Sequence, residues 1–138
     1  MKTTRMLVAA ATTAALGLSV LTASPAEAAV TRSFSESASE GSASWGTVTF
    51  NSYSWNVDAY IYRDSSASIK LEVCGWQSLS NGSWGLLGCK SATNSGSIGS
   101  TRHVTTLGGS ASWARVSMVS TDLYVNGVFA DGDWNYGF

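Results

Sequence analysis

The chain has 138 residues, of which 44% are hydrophobic and 12% are charged, and its formal net charge is −1. A chain of this length suits one domain, because domains cluster near roughly 100–150 residues and can then bury a single core. The near balance of 8 Lys and Arg against 9 Asp and Glu excludes nucleic-acid binding through a basic surface.

The first 28 residues have the three parts of a secretory signal peptide. Lys2 and Arg5 give a charged start, residues 6–23 form an apolar centre, and Ala26-Glu27-Ala28 is a small-residue cleavage sequence. A transmembrane helix is the alternative, but the apolar run is marginal in length and a cleavage sequence follows it. The sequence therefore predicts a secreted protein whose mature chain begins at Ala29.

Residues 29–44 are rich in serine, and Val30 and Phe34 are the only large apolar side chains among them. This composition is typical of an extended N-terminal arm, because it offers little surface to a core. We therefore expect a folded domain over residues 45–138. Deletion of residues 29–39 is expected to leave that domain folded.

Alternation of apolar and polar residues indicates short strands throughout the rest of the chain. The segments with this pattern are 45–50, 55–62, 67–77, 83–90, 102–107, 113–119, 123–125 and 128–130. Turn signals separate them, and no segment after the leader has helical periodicity with caps. Such spacing is typical of an antiparallel sandwich or a small barrel. We predict an all-β fold, a small antiparallel β-sandwich of seven or eight strands.

Cys74 and Cys89 flank the dipeptide Asn81-Gly82, which favours a two-residue hairpin turn. A hairpin centred on that turn places the two cysteines opposite each other, about 4.5–5.5 Å apart at Cα, which a disulfide can span. Export to an oxidising compartment favours the same pairing. A metal site is the competing use, but two cysteines and one histidine lack the paired spacing of ligands. We predict one disulfide, and a second hairpin at Asn126-Gly127.

Catalysis finds little support in the sequence. His103 is the only histidine, and no Gly-x-Ser-x-Gly elbow supplies a nucleophile for it. Carboxylate pairs such as Asp131 with Asp133, or Asp58 with Glu72, suit a glycosidase only if they line a substrate cleft. We predict no enzymatic activity, no cofactor and no metal.

Aromatic residues are the most unusual feature of the chain, with 6 Trp, 5 Tyr and 4 Phe. A small sandwich buries only some of them, because each ring carries about 150–250 Å² of surface. Three tryptophans are predicted to be core residues: Trp45, Trp55 and Trp113. Four other rings are predicted to bind a partner or to pack, with neither use favoured: Tyr60, Tyr62, Trp84 and Trp134.

The alanine-rich leader, the serine-rich segment 29–44, the all-β body and the single cysteine pair together resemble one known family. The family that they resemble is the small adaptor subunit of the umbrella toxin particles that actinomycetes secrete. The resemblance implies a protein without catalysis that joins a lectin-bearing subunit to a repeat-containing toxin subunit. It also implies that the N-terminal segment docks into a partner, which assigns partner contacts to Val30, Arg32 and Phe34, with Phe34 as anchor.

The predicted function is therefore that of a secreted adaptor in an extracellular antibacterial complex, acting by protein–protein contact. A carbohydrate-binding module that stacks sugars on the four aromatic rings is the first alternative. A secreted protease inhibitor that inserts the loop 91–101 is the second. Neither nucleic acid nor a membrane is an expected partner.

Overall fold

The structure is a computed structural model that describes residues 28–137. The predicted signal peptide over residues 1–28 lies outside the described residues, apart from Ala28. Among residues 28–137, no helix has the length and apolar character needed to cross a membrane.

Within residues 28–137, alternating burial matches nine β-strands, and every strand pairs antiparallel with its neighbours. Their bounds are β1 Val30–Ser37, β2 Ala43–Phe50, β3 Ser54–Tyr62, β4 Ile69–Ser78, β5 Trp84–Asn94, β6 Thr101–Val104, β7 Gly109–Ser110, β8 Met118–Val125 and β9 Val128–Tyr136. The predicted all-β fold is confirmed. Two strands were not predicted: β1 and the two-residue β7. The predicted segments 113–119 and 123–125 correspond to the single strand β8, and residues 113–117 lie outside any strand, so the count is nine and not the predicted seven or eight.

The strands form two sheets with a core between them. Sheet A has the order β1-β2-β3-β6, with β7 also paired to β3, and sheet B has the order β5-β4-β8-β9. The inner face of each strand carries every second residue, so the apolar positions of the alternating pattern meet in the middle. Fully buried side chains of this core are Val48, Val57, Ile61, Leu71, Val73 and Leu123.

The N-terminal segment is not a free arm, so that prediction is wrong for the residues in strands. All eight residues of β1 pair in register with β2, from Val30 opposite Phe50 to Ser37 opposite Ala43. Phe34 is 3% exposed and belongs to the core, and Val30 packs against the same core. The proposed anchor for a partner is therefore an anchor within the fold.

The serine-rich composition of β1 reflects its position at the edge of sheet A. One face of the strand meets solvent, so serine and threonine suffice there, and Phe34 with Val30 supplies the apolar contact on the other face. Arg32 remains exposed, and its Nε donates a hydrogen bond of 3.3 Å to the Tyr136 carbonyl of β9. Ser37 N likewise donates to Asp131 Oδ2 at 2.9 Å. Side chains thus join the two edges.

The two Asn-Gly dipeptides form different turns. Asn126 and Gly127 have φ of 49° and 78°, and Val125 pairs with Val128, so the predicted two-residue hairpin is confirmed. At the other dipeptide only Gly82 has positive φ, and Leu79 N donates to Ser83 O across a three-residue loop. The predicted two-residue turn at Asn81-Gly82 is therefore wrong.

The predicted disulfide between Cys74 and Cys89 is confirmed, with a Cα separation of 4.1 Å. The longer turn would shift the register by one residue, but a bulge lies between the turn and the cysteines. Trp76 pairs with Leu86 while Gly75 pairs with Gly88, which leaves Leu87 as the extra residue. The bulge restores the register in which the cysteines face each other.

The three predicted core tryptophans divide between core and surface. Trp55 is 5% exposed, whereas Trp45 is 39% and Trp113 is 69% exposed, so the prediction is wrong for those two. The Trp55 indole lies between two glycines of different sheets. A Cβ at Gly75 would stand 2.6 Å from the ring, and one at Gly109 would stand 2.3 Å from it. Only glycine admits the indole at this depth.

We expect Gly75→Ala to lower the free energy of unfolding by about 1–3 kcal/mol, because the added methyl overpacks against a buried ring. Urea unfolding followed by circular dichroism measures this change. Gly85→Ala is the matched control, since its Cβ would meet the flexible side chains of the half-buried Gln77 and the exposed Leu79, which can move aside. Equal losses in the two variants would contradict the packing argument.

Candidate functional site

The outer face of sheet A carries a ladder of three stacked rings. Trp45 of β2 lies opposite Tyr60 of β3, and Tyr60 lies opposite His103 of β6. The ring centroids are 5.8 Å apart in the first pair, at an interplanar angle of 13°, and 4.4 Å apart in the second, at 9°. The ring faces within the stack are covered by the neighbouring rings. A partner therefore reaches only the edges of the rings and the two ring faces at the ends of the stack.

His103 is held by Asp58, with its Nε2 2.7 Å from Asp58 Oδ1. Both side chains are about half exposed. The other contact of the imidazole is the Tyr60 ring, which is not a nucleophile. Within residues 28–137 the histidine has no serine or cysteine partner of the kind that nucleophilic catalysis requires. Its contacts are those of a surface side chain that supports the ladder.

Tyr62 continues the same face of sheet A, two residues beyond Tyr60. It is half-buried, and its hydroxyl donates a hydrogen bond of 2.9 Å to Asp64 Oδ1. That hydrogen bond raises the pKa of Tyr62 above its usual value, because the bond stabilises the neutral phenol. The surface formed by Trp45, Tyr60, Tyr62 and His103 is here called the sheet A ladder face.

A groove of about 240 Å³ crosses the outer face of sheet B. Four apolar side chains and two polar ones line it: Trp76, Trp84, Met118 and Trp134, with Ser120 and Asp122. Strand pairing assembles these residues, because Trp134 lies opposite Ser120, which in turn lies opposite Cys74. This surface is here called the sheet B groove.

The indoles of the groove are held from several sides. Trp76 Nε1 donates a hydrogen bond of 2.9 Å to Ser120 Oγ, which fixes the ring on β4. The Trp84 ring packs against the Tyr136 ring of β9, with ring centroids 5.9 Å apart and an interplanar angle of 54°. Trp84 comes from β5, which the disulfide ties to β4. Trp134 is 58% exposed and presents the most accessible ring.

Asp122 supplies the charge in the groove. Ser120 Oγ, which receives the Trp76 bond, donates in turn to Asp122 Oδ2 at 3.4 Å. Partial burial raises the pKa of Asp122 above the ordinary value, and the opposite Glu72 adds to this effect by repulsion. The Ser120 hydrogen bond and the positive charge of Lys70 lower the pKa of Asp122 and so oppose this rise only in part.

The loop between β5 and β6 is shorter than predicted, because β5 extends to Asn94 and the loop covers residues 95–100. The Asn94 side chain is buried and donates from Nδ2 to the carbonyls of Ile61 and Ser100, at 2.8 and 3.0 Å. The Arg63 guanidinium bonds to the carbonyls of Ser65, Ser66 and Gly96. These contacts brace a loop whose Ile98 is 61% exposed.

The structure places the four predicted aromatic residues in two groups, on opposite faces of the sandwich. Tyr60 and Tyr62 belong to the sheet A ladder face, and Trp84 and Trp134 to the sheet B groove. Sequence reasoning missed Trp45, His103, Trp76 and Asp122 as members of these surfaces. The cross-strand registers that assemble them depend on turns, and only one of the two Asn-Gly turns was predicted correctly.

The residues 28–137 thus define a disulfide-bonded antiparallel sandwich with an aromatic surface on the outer face of each sheet. Comparison of the chain with known protein families, curated proteins and solved structures finds no match.

Proposed function

We propose that the protein is a secreted, non-enzymatic adaptor that joins two proteins of an extracellular complex. The observation that supports this function is the pair of exposed aromatic surfaces on opposite sides of the sandwich. Exposed tryptophan and tyrosine are enriched among the residues that dominate the energy of protein interfaces. Two such surfaces that face away from each other allow two partners to bind without collision.

The partners that the resemblance suggests are the lectin-bearing and the repeat-containing subunits of an umbrella toxin particle. The proposed contacts differ from those first expected, because Val30 and Phe34 are packed into the fold. The proposed contacts with partners lie instead on the sheet A ladder face and in the sheet B groove. The disulfide supports a location outside the cell, where such bonds persist.

We expect the tagged protein to retain two different secreted proteins from the culture supernatant of its source organism. A variant of the ladder face, Trp45→Thr with Tyr60→Thr, should lose one of them and keep the other. A variant of the groove, Trp84→Thr with Trp134→Thr, should show the reverse. Threonine keeps strand propensity while removing the ring. Affinity purification with mass spectrometry measures both losses.

Phe129→Ala is the control for this experiment, because it removes an exposed ring that is not part of either surface. It should retain both proteins. Loss of the same single protein from both double variants, or retention of none by the wild type, would contradict the adaptor function.

A carbohydrate-binding module is a second candidate, supported by the exposed Trp84 and Trp134 rings in the groove, because flat rings stack on sugars. Pull-down with insoluble polysaccharides separates it from the adaptor, which should remain in solution. Protease inhibition is a third candidate, supported by the braced loop that exposes Ile98. An inhibitor of this kind should lower the activity of a protease without any other subunit and lose that effect in Ile98→Ser.

A further inference from the structure

The sheet B groove combines electron-rich rings with one carboxylate, and no lysine or arginine of residues 28–137 lines it. We propose that this groove binds a cationic side chain, lysine or arginine, of the protein that docks on sheet B. The inference rests on the proposed adaptor function, since it names the chemistry by which one of the two partners is recognised. Aromatic faces attract cations through their quadrupoles, and a nearby carboxylate adds a hydrogen-bond acceptor.

The hydrogen bonds within the groove favour a donor as its ligand. The Trp76 indole donor is already used by Ser120 Oγ, and the Ser120 hydroxyl donates to Asp122. These bonds end on the Asp122 carboxylate, which forms no salt bridge with a lysine or arginine within residues 28–137. An ionised carboxylate only accepts, so the group that satisfies it must donate. Ammonium and guanidinium groups donate and carry the opposite charge.

The same face of sheet B already holds one cation in this manner. Lys70 Nζ lies 4.2 Å from the centroid of the Tyr124 ring and 3.3 Å from Glu72 Oε2. Tyr124 pairs with Lys70 across the sheet, and Asp122 pairs with Glu72 in the adjacent row. Glu72 and Asp122 therefore share the single positive charge of Lys70. The groove next to them carries the unbalanced negative charge, and a partner's cation would complement it.

The choice of a cation over an uncharged apolar side chain depends on Asp122. An apolar side chain in the groove would bury this carboxylate further without adding a hydrogen-bond donor or a positive charge, which costs free energy. A lysine or arginine side chain places its methylene groups against Met118 and the indoles while its head reaches the carboxylate. Both parts of such a side chain thus match a part of the groove.

Nuclear magnetic resonance titration of the mature protein with N-acetyl-lysine methylamide and N-acetyl-arginine methylamide tests the proposal. We expect at least one of them to shift the indole N–H resonances of Trp76 and Trp134, and N-acetyl-norleucine methylamide, the uncharged analogue, to leave them in place. Asp122→Asn and Trp134→Ala should each weaken the binding about tenfold. Trp113→Ala is the matched control, because it removes a more exposed indole outside the groove.

Equal shifts with norleucine would overturn the proposal in favour of a plain apolar site. Shifts with cello-oligosaccharides or N-acetylglucosamine oligomers alone would overturn it in favour of a sugar site, and the absence of all shifts would also overturn it. The adaptor function is tested separately. Partner capture that depends on Trp134 without cation binding would reject only this inference, while cation binding without any captured protein would reject the adaptor.

Discussion

Phe34→Ala will lower the free energy of unfolding by about 3–5 kcal/mol, the usual cost of removing a buried phenylalanine ring from a core. The ring is 3% exposed and packs between the sheets, although it comes from a serine-rich segment. Denaturant unfolding of the mature protein at constant pH measures the loss. This expected result is the opposite of the sequence-based prediction, in which residues 29–44 form an arm and deletion of residues 29–39 spares the fold.

Ser33→Ala is the control for Phe34→Ala, because Ser33 lies on the exposed face of the same strand. We expect this variant to stay within about 0.5 kcal/mol of the wild type, as surface substitutions generally do. A similarly small effect of Phe34→Ala would show that β1 detaches from the sandwich without cost, and would restore the arm.

The stability of the protein will fall by about 3 kcal/mol between pH 4.5 and pH 7 because of Glu36. Burial raises the pKa of this carboxyl to about 7, and the hydrogen bond that Ser44 donates, of 2.6 Å to Oε2, opposes the rise only in part. The folded state keeps a proton that the unfolded state releases above its ordinary pKa of 4.5. Stability from this group is therefore present below pH 4.5 and is lost as the pH rises to 7.

Glu36→Gln should remove most of this pH dependence and make the protein more stable than the wild type at pH 8. The amide keeps the shape of the side chain and cannot ionise. A shallower slope of the same sign should remain, because burial also raises the pKa of Asp122. Unfolding in urea at several pH values measures both slopes.

Glu40→Gln should keep the wild-type slope, since it changes a carboxylate of the β1–β2 turn and leaves Glu36 in place. A wild-type stability that is constant from pH 4.5 to pH 7, or an unchanged slope in Glu36→Gln, would contradict the role assigned to Glu36.

The sequence carries the fold class and much of the strand pattern, because period-two alternation follows directly from a half-buried sheet. It also predicts the cysteine pair, although the two-residue turn from which that pair was predicted is wrong. The longer turn at Asn81-Gly82 and the bulge at Leu87 offset each other, so the predicted pair survives an incorrect turn. Local dipeptide signals specify a turn only together with the strands that flank it.

Neither the N-terminal strand nor the two aromatic surfaces can be predicted from the alternating pattern alone. A polar edge strand and a free arm have the same composition, and a single Phe34 decides between them only once β2 is in place. The positions of Trp45 and Trp113 could not be predicted for a similar reason, because tryptophan occurs both in cores and on surfaces. The ladder face and the groove arise from cross-strand neighbours that lie far apart in the chain.

The contacts between β1 and β9 also bear on the solubility of the protein. Unpaired strand edges are templates on which other chains add strands, and natural sheets protect them with charges or coverings. Here the Asp131 carboxylate accepts a hydrogen bond from the N–H of Ser37, and the Arg32 side chain donates one to the Tyr136 carbonyl. Each of the two edge strands thus uses a charged side chain to block the other. This mutual protection opposes edge-to-edge aggregation at the side of the sandwich where both sheets end.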